Sequence, residues 1–421
     1  MTDKRVSYII DFMNTLNRLG TGRTPSDVRN SNQLVIANLF FHNEALSAGE
    51  IAQYTGLSRT SVNNIVSELL CSGFLCCSGK GASTDAGGKK PSLYSLNAAH
   101  GRFISVFFSG YECTVCMFDL GLSLTHSTSH TSAEPMDREA VVETIRALLW
   151  DLTVRAKVDL SSISALALHC GGIVDSQHSS LHLPIQNPHW GADFDIKREL
   201  QESLPKGLPV FFDNACRFSG YSELLQDPSR AKKRIAVINT QEQFVGGCIV
   251  DCGELLHGAN SLIGEFGHII VDPASKTSCA CGACGCFESL VSAAHLEKRV
   301  QAHPMYFKSV LANQPFTLSF LFSAADGGDT VAREILGKTA EYFALVIRSI
   351  LLSNDPDEII LQGVYGGSGR FFRAALMDKL SIGHFFGAGP CPLFFSTGLP
   401  LSSHLGAVAY CRDKMATSLL I

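Results

Sequence analysis

A strand hairpin that occurs twice constrains the fold of this chain more than any other feature. Phe103-Ile104-Ser105-Val106-Phe107-Phe108 and Cys113-Thr114-Val115-Cys116-Met117-Phe118 read as two apolar strands leading to a turn at Asp119-Leu120-Gly121. The design returns about 130 residues later, where Arg234-Ile235-Ala236-Val237-Ile238 and Gly246-Gly247-Cys248-Ile249-Val250 lead to Asp251-Cys252-Gly253. This is the pattern of an internal duplication. Each copy runs on into alternating elements: a helix over 141–154, a strand over 164–168, and a strand over 359–362 after a helix reaching Ile350. Two α/β lobes follow, with a cleft between them where a small ligand is expected.

At about 150 residues per domain, the 421-residue length leaves room for more than these lobes. With 46% apolar and 17% charged residues, the chain can bury large cores and is neither disordered nor collagen-like. Apolar runs such as Ala344-Leu345-Val346-Ile347 are cut by Arg348, far short of the roughly 20 residues that span a bilayer, so no membrane insertion is expected. Lys4 and Arg5 precede apolar Val6 to Ile10 in the manner of a signal peptide. Asp11, Asn14, Asn17 and Arg18 break that run, which predicts a cytoplasmic protein. The fifteen cysteines are mostly solitary, as at Cys170, Cys248 and Cys411, and read as reduced core residues. Cys113 and Cys116 would point to opposite faces of one strand and also read as core.

Net charge is −5, so any nucleic-acid contact must be local. Residues 1–96 carry nine Lys and Arg against seven Asp and Glu, a balance of +2 that leaves −7 for the remainder. In this mildly basic part, Leu34, Ile36, Ala37, Leu39 and Phe40 suggest a helix, and Ser47-Ala48-Gly49-Glu50 a capping box opening a second. After Thr55-Gly56-Leu57, Ser58 can cap a third helix with Val62, Ile65, Val66 and Leu69 on its apolar stripe, ending at Gly73. Arg59, Thr60, Ser61, Asn63, Asn64 and Ser67 occupy its other face and could bond base edges and phosphates in a major groove. Strands at Phe74–Cys77 and Leu93–Leu96 around a Gly-rich tip, with Lys89 and Lys90 able to meet DNA backbone or minor groove, complete a winged helix-turn-helix. The predicted organisation is an N-terminal arm or helix over 1–30, the DNA-binding domain over 31–97 and the body over 98–421.

The strongest chemical signal is Cys279-Ala280-Cys281-Gly282-Ala283-Cys284-Gly285-Cys286, with His268 eleven residues upstream. Zinc takes Cys and His ligands, and three thiolates with one imidazole close a tetrahedral structural site, so four cysteines compete for three places. The glycines let the backbone curl around the sulfurs.

Gly264-Glu265-Phe266-Gly267-His268 followed by Cys279-x-Cys281-Gly282-x-x-Gly285-Cys286-x-Glu288 resembles the signature of the ROK family of sugar-responsive repressors and sugar kinases. Gly172-Ile173-Val174-Asp175, Asn187-Pro188-His189-Trp190, Asp213 and the stretch from Gly253 to Gly258 fall in the family's order, so the likeness covers nearly the whole chain. It implies a two-lobed α/β body of the actin-like/sugar-kinase (ribonuclease H-like) type behind an N-terminal winged helix-turn-helix. It also implies one structural zinc ion in the loop 264–288, held by His268, Cys279, Cys281 and Cys286 with Cys284 spare, and a sugar bound by Asp213, Glu265, His268 and Glu288. Carboxylates suit that role because they accept hydrogen bonds from several hydroxyls. The sequence departs from the family at Phe212, where Asn is usual, and at Gly171, where Pro is frequent.

Kinases of the family carry glycine-rich phosphate turns. Here Phe107 and Tyr111 replace the Asp and the small hydroxyl residue of the first turn, and Gln241-Glu242-Gln243-Phe244 replaces the second, bringing Glu242 toward the expected phosphates. The resulting expectation is a regulator, a repressor rather than an enzyme, binding double-stranded operator DNA as a homodimer or higher homo-oligomer and sensing a sugar or sugar derivative. An active ATP-dependent sugar kinase is the alternative, and a metal or thiol sensor a third reading.

Overall fold

The structure, a computed structural model, describes residues 25–41, 45–81, 90–381 and 392–420. Helix α1 (Pro25–Phe41), strand β1 (Leu46–Ser47), helices α2 (Ala48–Thr55) and α3 (Arg59–Cys71), and strands β2 (Leu75–Lys80) and β3 (Ser92–Leu96) make the N-terminal unit. The capping box forms: the Ser47 hydroxyl accepts the Glu50 N–H at 3.3 Å while Glu50 accepts the Ser47 N–H at 2.8 Å. Gly56 ends α2 at φ 70°, and Ser58 caps α3. Val62, Ile65, Val66 and Leu69 of α3 share a core with Val35, Ile36, Leu39 and Phe40 of α1, and the strands pair in the order β1-β3-β2. Helix α1 runs across the division expected between residues 30 and 31. Lys89 lies outside the described residues.

The duplication is visible in the sheets. In the first lobe β4 (Arg102–Phe108), β5 (Glu112–Asp119), β6 (Leu124–Thr131), β7 (Ala165–Cys170) and β10 (Val210–Asn214) pair in the order β6-β5-β4-β7-β10; β8 (Ile173–Asp175) and β9 (Ser180–Leu183) form a separate ribbon. The second lobe orders β11 (Arg234–Thr240), β12 (Val245–Asp251), β13 (Glu254–Leu255), β14 (Glu358–Gly363) and β15 (Leu393–Ser396) as β13-β12-β11-β14-β15. Both sheets are three antiparallel strands followed by two parallel ones. The third hairpin strand was not foreseen in either lobe. β6 is polar and mostly exposed, and β13 is two residues long, so neither gives an apolar run.

Each sheet buries one face under its own helix: α4 (Arg138–Ala156) shares a core with Ile104, Val106 and Leu166, and α6 (Thr330–Asn354) with Ile238, Ile359 and Leu361. Helices α5 (Ala215–Tyr221) and α7 (Ser402–Met415) occupy the space between the lobes. Their Phe218, Ala407, Val408 and Cys411 join a third core with Phe103 and Cys116 of the first sheet, Ile235 and Val237 of the second, and the α1 and α3 side chains of the N-terminal unit. A methyl group on Gly406 would lie 1.7 Å from the Phe218 carbonyl oxygen, so only glycine lets α7 approach α5 this closely. Cys113 and Cys116 are buried on opposite faces of β5, in different cores, as the strand period requires. Among the described residues no helix is long and apolar enough to cross a membrane.

Candidate metal centre and ligand cleft

Asp213 is the penultimate residue of strand β10, at the carboxyl edge of a parallel strand pair. Its carboxylate is 2% exposed and paired on both oxygens. Oδ1 accepts from Arg217 Nη1 at 2.8 Å and from the Asn214 N–H at 2.7 Å, and Oδ2 lies 2.6 Å from His257 Nε2. Burial alone would raise its pKa, but the His257 hydrogen bond and the Arg217 charge outweigh it and hold Asp213 below the ordinary carboxylate range. Arg217 is fully buried and also donates to the Ser261 carbonyl. Neither Arg217 nor His257 was singled out in the sequence. The available signal was the spacing of Arg217, four residues after Asp213 at a helix start, which suits an ion pair.

Glu265 opens a single helical turn, Phe266–His268, with Oε1 3.9 Å from Arg217 Nη2 and Oε2 4.0 Å from His268 Nε2. Burial pushes its pKa up to about 7 against the pull of Arg217, with Glu288 and Asp213 adding to the rise. Glu288 starts the helix Phe287–Val291 and accepts the Val245 N–H at 2.9 Å; burial raises its pKa, opposed by that N–H and by His268. The four residues expected to bind sugar are thus drawn into one cluster. Glycine makes the approach possible, since a Cβ on Gly267 would meet the Val245 carbonyl oxygen at 2.2 Å. Because Asp213 is already paired, the groups left open to a ligand are Glu265, His268 and His257, each about a fifth exposed, and half-buried Glu288.

His268, Cys279, Cys281 and Cys286 bring one ligand atom each to within 4.8 Å of one another. Cys281 and Cys286 sulfurs are 3.7 Å apart, and Cys279 Sγ is 3.4 Å from His268 Nδ1. A tetrahedral ion with metal–sulfur bonds of about 2.3 Å has sulfur–sulfur edges of roughly 3.8 Å, so this cluster can hold a metal ion as it stands. Cys284 is exposed and outside the cluster. Gly285, at φ 73°, reverses the chain where a Cβ would strike the Asp272 carbonyl oxygen at 2.0 Å.

On α3, Arg59, Thr60, Asn63, Asn64 and Ser67 are exposed. Ser61 differs, because its N–H and hydroxyl are both engaged by Ser58 at the helix cap. Lys90 is exposed.

Backbone N–H groups that could cradle a phosphate are engaged within the protein at the first hairpin turn and in part at the second. The N–H of Gly110 donates to Asn187 Oδ1 at 2.9 Å, those of Tyr111 and Glu112 go to the Ser109 hydroxyl, and that of Gln241 to the Phe244 carbonyl. Phe107, Gln241 and Phe244 line a cavity of about 820 Å³ between the lobes. Tyr111 and Glu242 are both exposed, and neither is among the residues lining it.

The ROK family matches residues 104–381. A glucokinase from Halalkalibacterium halodurans is 29% identical over 209 residues, covering 48% of this chain and 62% of the enzyme. The DNA-binding transcriptional repressor Mlc of Escherichia coli is 25% identical over 265 residues, 62% of this chain and 63% of the repressor. These matches span a little under two thirds of each relative. The crystal structure of a ROK family transcriptional regulator, a homolog of E. coli Mlc, superposes with a TM-score of 0.74 at 20% identity, covering 93% of this chain and 98% of that one. A fold shared across both lobes and a family match running from the first hairpin past β14 lead to one conclusion: the chain belongs to the ROK family.

Proposed function

We propose that the chain is a sugar-responsive transcriptional repressor acting on double-stranded DNA in the cytoplasm. The observation that carries this reading is the union of two features: a helix pair with an exposed polar face on its second helix, and a body whose first phosphate turn has its N–H groups engaged by Asn187 and Ser109. The N-terminal unit is read as a winged helix-turn-helix, with α3 in the major groove, Arg59, Thr60, Asn63 and Asn64 toward base edges, Ser61 nearer the backbone, and Lys89 and Lys90 on phosphate or minor groove. Two copies in a homodimer would set two such helices about one duplex turn apart. The metal is read as one structural zinc ion per chain on His268, Cys279, Cys281 and Cys286. A sugar effector is read at Glu265, His268 and Glu288, with Asp213 held beneath them by Arg217 and His257.

Operator selection with the purified chain tests the reading. Truncating Asn63 or Asn64 should cost roughly 1–3 kcal/mol at one operator position, whereas Lys90→Ala should mainly lower the salt dependence of binding. Sequence-specific binding that survives deletion of residues 31–96 would refute it. The glucokinase relative keeps a kinase reading in play. A coupled assay with ATP, magnesium and common hexoses, pentoses and N-acetyl sugars should show no turnover, and turnover above background would favour the kinase.

A further inference from the structure

The cavity between the lobes stands apart from the carboxylate cluster in its charge. In a chain with 17% charged residues, none of the described residues lining it is Asp, Glu, Lys or Arg. Its two titratable groups are neutral near pH 7, because burial pushes the Cys216 thiol up to about 12 and the His404 imidazole down to about 4. Three phenyl rings line it, Phe107 on β4 of the first lobe facing Phe244 at the β11–β12 turn and Phe322 of the second. Uncharged hydrogen-bonding groups stand between them, among them the side chains of Asn239 and Gln241. At about 820 Å³ the space lies toward the upper end of the range for small-molecule sites and exceeds what one pyranose ring fills.

The cavity adjoins the sugar cluster. Cys216, which lines it, follows Asp213 by three residues, and Phe244, which also lines it, precedes Val245, whose N–H donates to Glu288 at 2.9 Å. A ligand reaching from the carboxylates into the cavity would pass from acidic acceptors to a neutral, partly aromatic chamber. An anion placed there would find no cation to offset the hydration it loses, which disfavours phosphate esters and nucleotides. Carbohydrate C–H faces and aryl groups both pack on phenyl rings, while amides and hydroxyls take up remaining hydroxyl groups.

From this juxtaposition we infer that the effector is a neutral glycoside larger than a monosaccharide: its terminal sugar sits at Glu265, His268 and Glu288, and its uncharged second unit, a further sugar or an aryl group, fills the cavity between Phe107 and Phe244. This rests on the proposed sugar site and names the ligand class that site takes.

The test uses the full-length, metal-loaded chain and calorimetric titration. For glucose, galactose, xylose and N-acetylglucosamine, the probes are the free sugar, its p-nitrophenyl glycosides, a neutral disaccharide ending in that sugar and, for the hexoses, the 6-phosphate. For the sugar that fits, a glycoside or disaccharide should bind at least tenfold more tightly than the free sugar, and the 6-phosphate more weakly than either. Phe244→Ala, at a side chain 42% exposed, should erase most of that advantage and leave free-sugar affinity unchanged; Phe107→Ala provides the same comparison from the other lobe. If free sugar and glycoside bind equally and neither variant separates them, or if the 6-phosphate binds best, this inference is wrong while the sugar site stands. Binding of no probe at all would overturn the sugar site and the inference together.

Discussion

The guanidinium of Arg412 lies 4.2 Å above the ring of Phe41, joining helix α7 of the body to helix α1 of the N-terminal unit. Arg412 is 2% exposed, so the contact is desolvated. Near the other end of α7, Ser402, Ser403 and His404 line the interlobe cavity. A 14-residue helix is about 20 Å long, so one rigid element touches both the ligand cleft and the unit read as binding DNA. Arg412→Ala and Phe41→Ala should each destabilise the chain and show a coupling of about 1–2 kcal/mol in a double-mutant cycle followed by denaturant unfolding. Additive effects would reduce the contact to simple proximity.

Gly406→Ala should be among the most damaging single-methyl substitutions in the chain. The added carbon would fall 1.7 Å from the Phe218 carbonyl oxygen, a backbone atom that cannot swing aside. Helix α7 must then shift away from α5, opening the core shared by both lobes and the N-terminal unit. A loss of about 2–3 kcal/mol is expected from overpacking, visible as a lower thermal midpoint. An unchanged midpoint would mean that the two helices are less tightly packed than described.

The metal cluster separates two cysteines that the sequence alone presents as equals. Cys286 is fully buried with its sulfur 3.7 Å from that of Cys281, whereas Cys284 is exposed and outside the cluster. Elemental analysis should find one zinc per chain in wild type and Cys284→Ser, and a large loss in Cys286→Ser. Removing the metal should also lower the stability of the second lobe, because binding energy at a structural site is folding energy. The reverse pattern between the two serine variants would exchange their roles.

Residues whose role depends on local spacing were legible in the sequence. The capping box at Ser47 and Glu50, the α3 stripe and the Cys-His cluster all follow from short-range periodicity or fixed ligand chemistry, and each forms as read. What escaped was set by tertiary approach. Arg217 and His257 close on Asp213 from two different segments, and nothing in the local pattern around His257 announces that pairing. The polar strand β6 is a strand because β5 needs a partner, a requirement its own side chains do not advertise. The exposure of Tyr111 and Glu242 likewise follows from how the hairpin turns are held, the first by the Asn187 and Ser109 side chains, which the turn sequences do not reveal.

A buried histidine pair makes stability depend on pH in one direction. His404 Nδ1 and His169 Nε2 both contact the Ser105 hydroxyl at 2.9 Å, with their rings 4.7 Å apart. Burial lowers the pKa of His404 to about 4, and burial followed by repulsion from His404 lowers that of His169 well below the ordinary 6.5. Both rings are therefore neutral in the native state, while the unfolded chain takes up protons near pH 6.5. Their contribution is fully present above that pH and is lost as pH falls toward 4, where the unfolded state binds more protons than the native one. For His404 alone, a gap of about 2.5 units corresponds to about 3 kcal/mol. Denaturant unfolding of wild type and His404→Gln at steps from pH 7.5 to 4.5 isolates this term, because carboxylates elsewhere titrate equally in both. The stability difference between the two proteins should shrink in favour of the variant by about 2–3 kcal/mol across that range. A constant difference would mean that His404 is protonated in the folded chain or is more accessible to water than its burial implies.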